Sequence, residues 1–584
     1  MLKPQRVVFG VLLLLLFAGP VSQVLSDVSA IDRSAQTGGR LTASGGEAFA
    51  QSVDTAWVRR YDGPGNVDDW ANAIIVDDSG YVYVTGRFYI SGTDYDYGTI
   101  KYYPNGDTAW VRRYDGLGNS LDGAMDMAVD GSGYVYVTGQ SFGSGTDYDY
   151  ATIKYKPNGD TAWVRRYDGP ENTGDNAMAI AVYGSGNVCV TGFGVCWSEH
   201  PFDYVTIKYY PDGDTAWVRG YNGPGDGTDK AVAIAIDDSG NAYVTGYSTG
   251  SGTSEDYATI KYYPSGDTAW VRRYNGPANG SDYAEAIAVD DSGFVYVTGY
   301  GDSTGTYQDY ATIKYDSSGN EIWVRRYDGP ANGADIATAI ALDASNNVYV
   351  TGYSDSTGSS QDYATIKYDS SGNELWVKRF NCANGTDKPY AIAVDGSNDV
   401  YVTGRSGCGG VTEHDYVTIK YYSNGDTAWL RKYHGPVEDG YDYAYGLAVD
   451  TSGNVYVTGA SKGSGTDYDY CTIKYVQTPS GVKDETGGRD RPSEFELSQN
   501  YPNPFNPTTK IEFTLAKSGF VTLEIHDVLG RKVRTLVSEE LSSGYKSVVW
   551  DGKNEEGKGV ASGVYFYQLK VGDFSEPKKM LLLK

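Results

Sequence analysis

At 584 residues the chain is long enough for more than one domain. Its 54 tyrosines and 75 glycines, with Leu scarce before residue 480, favour strands and turns over helices. The net charge of −27 would repel a polyanion and argues against nucleic-acid binding; the excess acid lies ahead of residue 493, because twelve basic and twelve acidic residues cancel over 493–584.

Residues 1–26 read as a secretory signal. Lys3 and Arg6 precede the apolar stretch Val7–Gly19, which falls short of the roughly 20 residues that a stable membrane span needs. A membrane anchor is the competing reading, and no other apolar run approaches that length. Residues 27–53 are small and polar, the composition of a loose leader.

The phrase "DTAWVRRY" stands at Asp54–Tyr61 and returns at Asp107, Asp160 and Asp267, with altered copies around Trp217, Trp323, Trp376 and Trp429. Successive tryptophans are 53 residues apart, with one step of 54. Each period holds four short alternating segments. One set is "AEAIAVD" (Ala284–Asp290), "FVYVTGY" (Phe294–Tyr300), "DYATIKY" (Asp309–Tyr315) and "EIWVRRY" (Glu321–Tyr327), separated by turns such as "DSG" and "DSSGN". Four strands in a period of this size are the signature of a β-propeller blade; a β-solenoid is the alternative, though its coils are usually shorter.

Small "AIAV" suits the crowded strand beside the axis, and "AWVRRY" the outer edge, with the Trp ring against the neighbouring blade and Arg59 and Arg60 reaching solvent. The chain then reads as one outer strand, seven complete units, and a last unit lacking its outer strand. The fold expected is all-β: an eight-bladed propeller over 54–475 in which Asp54–Tyr61 closes the last blade against Thr472–Tyr475. "DDSGNAYVTG" (Asp237–Gly246), "DYATIKY" and "SSGNEIW" resemble the bacterial β-propeller repeat family over Asp54–Tyr475, which implies the fold and no reaction.

Residues 476–492, rich in Gly, Pro and charge, read as a linker. Over 493–584, six or seven strand-like segments predict a small β-sandwich. "NYPNPFNPTTKIEFTL" (Asn500–Leu515), "DVLGRKVRTL" (Asp527–Leu536), "WDGKNEEGKGVASGVYFY" (Trp550–Tyr567) and the ending "KKMLLLK" resemble the C-terminal sorting domain of the bacterial type IX secretion system. The resemblance implies that this is an immunoglobulin-like β-sandwich, that the type IX secretion machinery is a partner, acting through 493–584, and that the protein is secreted or displayed on the outer cell surface. An ordinary attached accessory sandwich is the alternative.

One active site cannot be eightfold, so chemistry is sought where the repeat breaks. "GFGVCWSEHPFDY" (Gly192–Tyr204) and "GRSGCGGVTEHDY" (Gly404–Tyr416) supply Trp197, His200 and His414 as ligand-binding candidates on the loop-rich, acidic face, for an unknown protein or glycan. Blades three and seven would be opposite in a ring of eight, which separates His200 from His414. No catalytic set and no metal-ligand spacing stands out, so neither a catalytic residue nor a metal site is assigned. No cofactor is assigned either; the acidic loops could offer oxygens to calcium, although Asp is a turn former by default. Cys382 and Cys408 are the disulfide candidate; Cys471 reads as a buried thiol. A binding scaffold is the favoured reading. A secreted polysaccharide-active enzyme using carboxylates is the alternative, and a quinone-holding propeller is a third, against which the missing adjacent-cysteine pair counts.

Overall fold

In a computed structural model, residues 52–478 and 495–583 are described apart from short gaps, the longest being 196–201 and 408–413. Trp197, His200 and Cys408 therefore lie outside the described residues, as do the expected signal and the expected leader up to residue 51; its last two residues are corrected, since Ser52 and Val53 open a strand and Val53 is buried. Every regular element described is a strand, and no helix among the described residues is long and apolar enough to cross a membrane. The chain divides at Gln477/Thr478 into two compact units.

The first unit contains eight four-stranded antiparallel sheets. In seven of them the strands follow chain order; one is Asp282–Val289, Val295–Asp302, Gln308–Tyr315 and Glu321–Tyr327. The eighth takes Asp442–Val449, Val455–Lys462 and Tyr468–Thr478 from the end of the repeat, and Ser52–Tyr61 from its start as the outer strand.

The repeated residues bind each sheet to the next. Trp270 shares a buried cluster with Ile287, Val295 and Val297 of the following sheet. Its Nε1 donates to Ser317 O at 3.3 Å, in the turn before that sheet's outer strand. Trp57 does the same from the eighth sheet to the first: its ring packs on Tyr102, and Nε1 donates to Pro104 O at 3.2 Å. The turn glycine beneath it, Gly106, has φ of 86°, and a Cβ there would lie 2.8 Å from the indole, so both backbone and packing require glycine.

The third strands are linked in the same way. Tyr97 Oη donates to Ala151 O at 3.1 Å, Tyr150 to Val205 O at 3.1 Å, Tyr204 to Ala258 O at 3.0 Å and Tyr257 to Ala311 O at 3.0 Å. The series continues through Tyr310, Tyr363 and Tyr416, and Tyr470 donates back to Gly98 O at 3.2 Å.

The expectation that Arg59 and Arg60 reach solvent holds only in part, because both side chains are half-buried against the neighbouring turn and sheet. Arg59 Nε donates to Gly106 O at 2.6 Å, and Arg60 meets the buried carboxylate of Asp469 at 2.8 Å. The planar guanidinium groups suit these acceptors: Arg59 takes the turn carbonyls of Asn105 and Gly106, and Arg60 takes Ser461 O and the Asp469 carboxylate.

The second unit has a three-stranded sheet (Glu496–Leu497, Thr509–Leu515, Gly544–Trp550) and a four-stranded one (Gly519–Asp527, Lys532–Leu541, Gly563–Val571, Phe574–Leu582). Strict alternation puts Val521, Leu523 and Ile525 of one sheet and Ile511, Phe513 and Leu515 of the other into one core around Trp550.

Candidate functional site

Most positions of the repeat are fixed by packing; a few are not. Each first strand carries a β-bulge two or three residues after it begins to pair, as between Ala71 and Ala73 or Ala284 and Ala286. The bulge residue is Asn72, Met125, Met178, Val232, Glu285, Thr338, Tyr390 or Tyr445, in chain order. The residue two before it is Trp70, Gly123, Asn176, Lys230, Tyr283, Ile336, Lys388 or Tyr443. The second-strand residue after "VTG" varies likewise, from Arg87 to Arg405, and so does the start of the third strand, where Tyr468 and His414 stand. These rows lie where first strands begin, second strands end and third strands begin, which is the loop-bearing end expected for His414. Gly86 permits the arrangement, because a Cβ there would lie 1.9 Å from Trp70 O.

In three consecutive sheets the variable rows converge on aromatic and cationic side chains. Trp70 stacks on Tyr443 at 5.9 Å and 20° and lies 5.0 Å from Tyr468. Tyr441, Tyr443 and Tyr445, alternate residues of one strand face, stack at 6.1 Å (2°) and 6.2 Å (21°). Arg87 lies 5.8 Å over Trp70 and Arg405 5.2 Å over Tyr443. The rings of Trp70, Tyr443, Tyr445 and Tyr468 are half-buried.

His414 belongs to this cluster, with Tyr441 at 5.5 Å and Tyr443 at 6.0 Å. Burial, with Arg405 and Lys388 adding to it and Asp415 opposing, pushes its imidazole down to about 4, so it is neutral near pH 7. It is a ring in the platform and not a base poised at that pH. His434, on the neighbouring loop, hydrogen-bonds Asp415 through Nδ1 at 2.7 Å.

Two sheets away in the chain, Glu285 sits in the bulge row with 5 % of its surface exposed. Burial pushes its carboxyl up to about 8, and it adds to the burial that raises the Tyr247, Tyr300 and Tyr353 hydroxyls. A protonated carboxyl can donate a hydrogen bond, but glycoside cleavage needs two carboxyls in distinct roles. Nearby Glu255 already accepts from Ser281 Oγ at 2.7 Å.

The turn aspartates are committed to the fold. Asp237 accepts from the backbone of Ser239 and Asn241 and from Tyr243 Oη at 2.9 Å, and its counterparts repeat this. The third unit replaces that Asp–Tyr pair by Tyr183 and Cys189. Three clusters, one of them Asp415, His434 and Asp442, bring oxygens and nitrogen close enough to hold a cation. Each contains a carboxylate already paired with Lys432, Arg113 or Arg326. Cys189 and Cys471 are free and buried; Cys382 is not one of the free thiols, and its expected partner Cys408 is outside the described residues.

Of the expected ligand-binding residues, only His414 can therefore be placed. Trp70, Arg87, Arg405, Tyr443 and Glu285 were missed. Their signal was variation at a fixed register of the repeat, not the length of a loop.

A family model described as a β-propeller repeat matches residues 217–252, 269–305, 375–407 and 435–465, and one for the FlgD Ig-like domain matches 501–573. No curated protein matches the chain. Among solved structures, PorZ, a surface component of the type IX secretion system of Porphyromonas gingivalis, is 15 % identical, with 88 % of this chain and 74 % of that one covered and a TM-score of 0.31. Drosophila Plexin A in complex with Semaphorin 1b is 9 % identical over 73 % and 88 %, with a TM-score of 0.33. The β-propeller domain of the Trilobed protease from Pyrococcus furiosus is 9 % identical over 63 % and 97 %, with a TM-score of 0.30. TM-scores this low fix neither fold nor function. The repeat and domain matches fall on the two units seen here: the chain carries β-propeller repeats followed by an Ig-like domain of the FlgD type.

Proposed function

We propose that the chain is a secreted or outer-surface binding scaffold: a closed ring of eight blades that holds an unknown ligand on its loop-bearing end. The tyrosine bonds that pass from sheet to sheet and return from Tyr470 to Gly98 support the closed ring. The observation that carries the function is that strand positions which vary between repeats at the loop-bearing end assemble an aromatic and cationic surface in three consecutive sheets. Packing alone would repeat the same residues eight times; a site for one ligand has to break the symmetry.

The full chain, immobilised and exposed to a panel of glycans and proteins, is expected to retain a ligand without turning it over. Tyr443→Ala should weaken retention at least tenfold with little change in thermal midpoint, whereas Trp376→Ala, in an outer strand, should leave retention intact. Turnover would instead support the polysaccharide-active alternative, with Glu285 as its first suspect.

In the same reading residues 1–26 are a signal, 479–492 a linker that begins three residues later than expected because 476–478 extend the last third strand, and 493–584 an export label for the type IX machinery. The motifs from Asn500 to Tyr567 and the Ig-like match support the label. Fused to a soluble passenger in a host with that machinery, residues 479–584 should carry it to the cell surface. A passenger that stays in the periplasm would make the domain an accessory sandwich. A Cys382–Cys408 bridge is part of the proposal, and peptide mapping without reductant tests it.

A further inference from the structure

Resting on the binding-scaffold reading, the cluster of Trp70, Tyr443, Arg87 and Arg405 also indicates what kind of ligand it takes. In a chain of net charge −27, cations gather here in unusual company. Lys388 and Arg405 stand directly opposite each other in an antiparallel strand pair, an arrangement of like charges that destabilises a sheet. They splay apart, Lys388 over the Tyr353 ring at 4.0 Å and Arg405 over Tyr443 at 5.2 Å. The Arg405 charge also acts on the Tyr390 and Tyr443 hydroxyls, opposing the burial that raises them. The Nε atoms of Arg405 and of Arg87 are buried and donate to no acceptor among the described residues. Burial and Arg405 lower the Lys388 ammonium to about 8, with Asp355 opposing them. A carboxylate from outside, paired with the Arg405 guanidinium, would relieve the repulsion between the two cations.

The surface beside these cations is a row of rings. Tyr441, Tyr443 and Tyr445, with Trp70 stacked on Tyr443, offer flat half-buried faces edged by hydroxyls. Flat apolar faces with hydroxyls at the rim suit a pyranose, whose C–H face packs on aromatic carbon while its own hydroxyls stay wet. A peptide carboxylate is usually captured by a nest of backbone N–H groups, whereas the donors here are side chains. The acid must be sparse. Asp68 acts on Arg87 and Asp355 on Lys388, and the protein as a whole repels a polyanion.

We propose that this site binds a largely neutral glycan through one uronic-acid residue, its carboxylate on Arg405 and its sugar faces against Tyr443 and Trp70.

The test titrates the full chain with a neutral glucose oligosaccharide and with the same oligosaccharide carrying one glucuronic or galacturonic acid residue. At low salt an acid-bearing form is expected to bind at least tenfold tighter. Arg405→Gln should abolish that preference and Arg405→Lys should restore part of it, while Trp70→Ala should weaken both forms. Equal affinities for wild type overturn the inference, as does a preference that survives in both Arg405→Gln and Lys388→Gln. Should Arg405→Gln lower the thermal midpoint, the wild-type comparison and Lys388→Gln still decide. Retention of only neutral glycans or only proteins overturns this inference and leaves the scaffold reading standing; retention of nothing overturns both.

Discussion

Deleting residues 52–61 is expected to abolish cooperative unfolding of the repeat unit and to drive the chain into aggregates, while the Ig-like unit keeps its own transition. The strand Ser52–Tyr61 is the outer member of the sheet that Tyr468–Thr478 otherwise ends. Without it that third strand presents a long row of unpaired N–H and C=O groups. The deletion also removes Trp57, 7 % exposed, from the cluster that joins the eighth sheet to Ile74, Val82 and Val84 of the first. Asp469, 5 % exposed, loses Arg60 and becomes a buried unpaired charge, a change that alone costs about 3–5 kcal/mol.

Point variants separate these terms. Trp57→Ala should cost about 3–5 kcal/mol, read from urea unfolding of the full chain. Trp376→Ala should cost less, because that ring is only half-buried in an otherwise equivalent junction. A deletion variant with an unchanged thermal midpoint would show that the eighth sheet does not depend on this strand.

The strands were legible because packing rewrites the same solution in every period. "VYVTG" alternates because Tyr296 and Thr298 point one way and Val295 and Val297 the other, and its Thr meets a Thr on the next strand at 2.9 Å. The glycines of the turns were legible from the turn chemistry; their second role, leaving room for the tryptophan of another sheet, was not, because that contact spans 47 residues or more. The outer-strand arginines misled for the same reason. Local alternation sends Arg60 outward, and only the distant Asp469 explains where it goes. The site was half legible. His414 was reached through an irregular loop, but Trp70, Arg87 and Tyr443 sit inside regular strands, and they stand out only when each is set against seven counterparts in register.

Lowering the pH from about 8 to about 5 is expected to stabilise the repeat unit. Each first strand opens with a buried aspartate: Asp69, Asp175 and Asp282 are pushed up to about 7 and Asp335 and Asp387 to about 6. Burial is the main cause in all five, and backbone N–H donors such as Tyr89 N on Asp69, at 2.9 Å, only partly offset it. In the unfolded chain these groups return to about 3.9. The folded state therefore binds more protons between those values. Stability is fully present below the unfolded value and is lost as pH rises through about 6 to 7. A tenfold difference in proton affinity corresponds to about 1.4 kcal/mol, and five sites share the window, so the effect should exceed that of most single substitutions. Reduced self-repulsion in a chain of net charge −27 acts in the same direction. Below about 4 the trend should reverse, because Asp316 and Asp369 are held below the usual carboxylate range by hydrogen bonds from Asn320 and Asn373 and lose them on protonation. Urea midpoints from about pH 4 to about pH 8 give the curve. Asp282→Asn should flatten it by one site's share, gaining stability at the alkaline end and little at the acid end. A maximum near pH 8 would mean that these carboxylates are ionised in the folded state and compensated by partners the hydrogen bonds do not reveal.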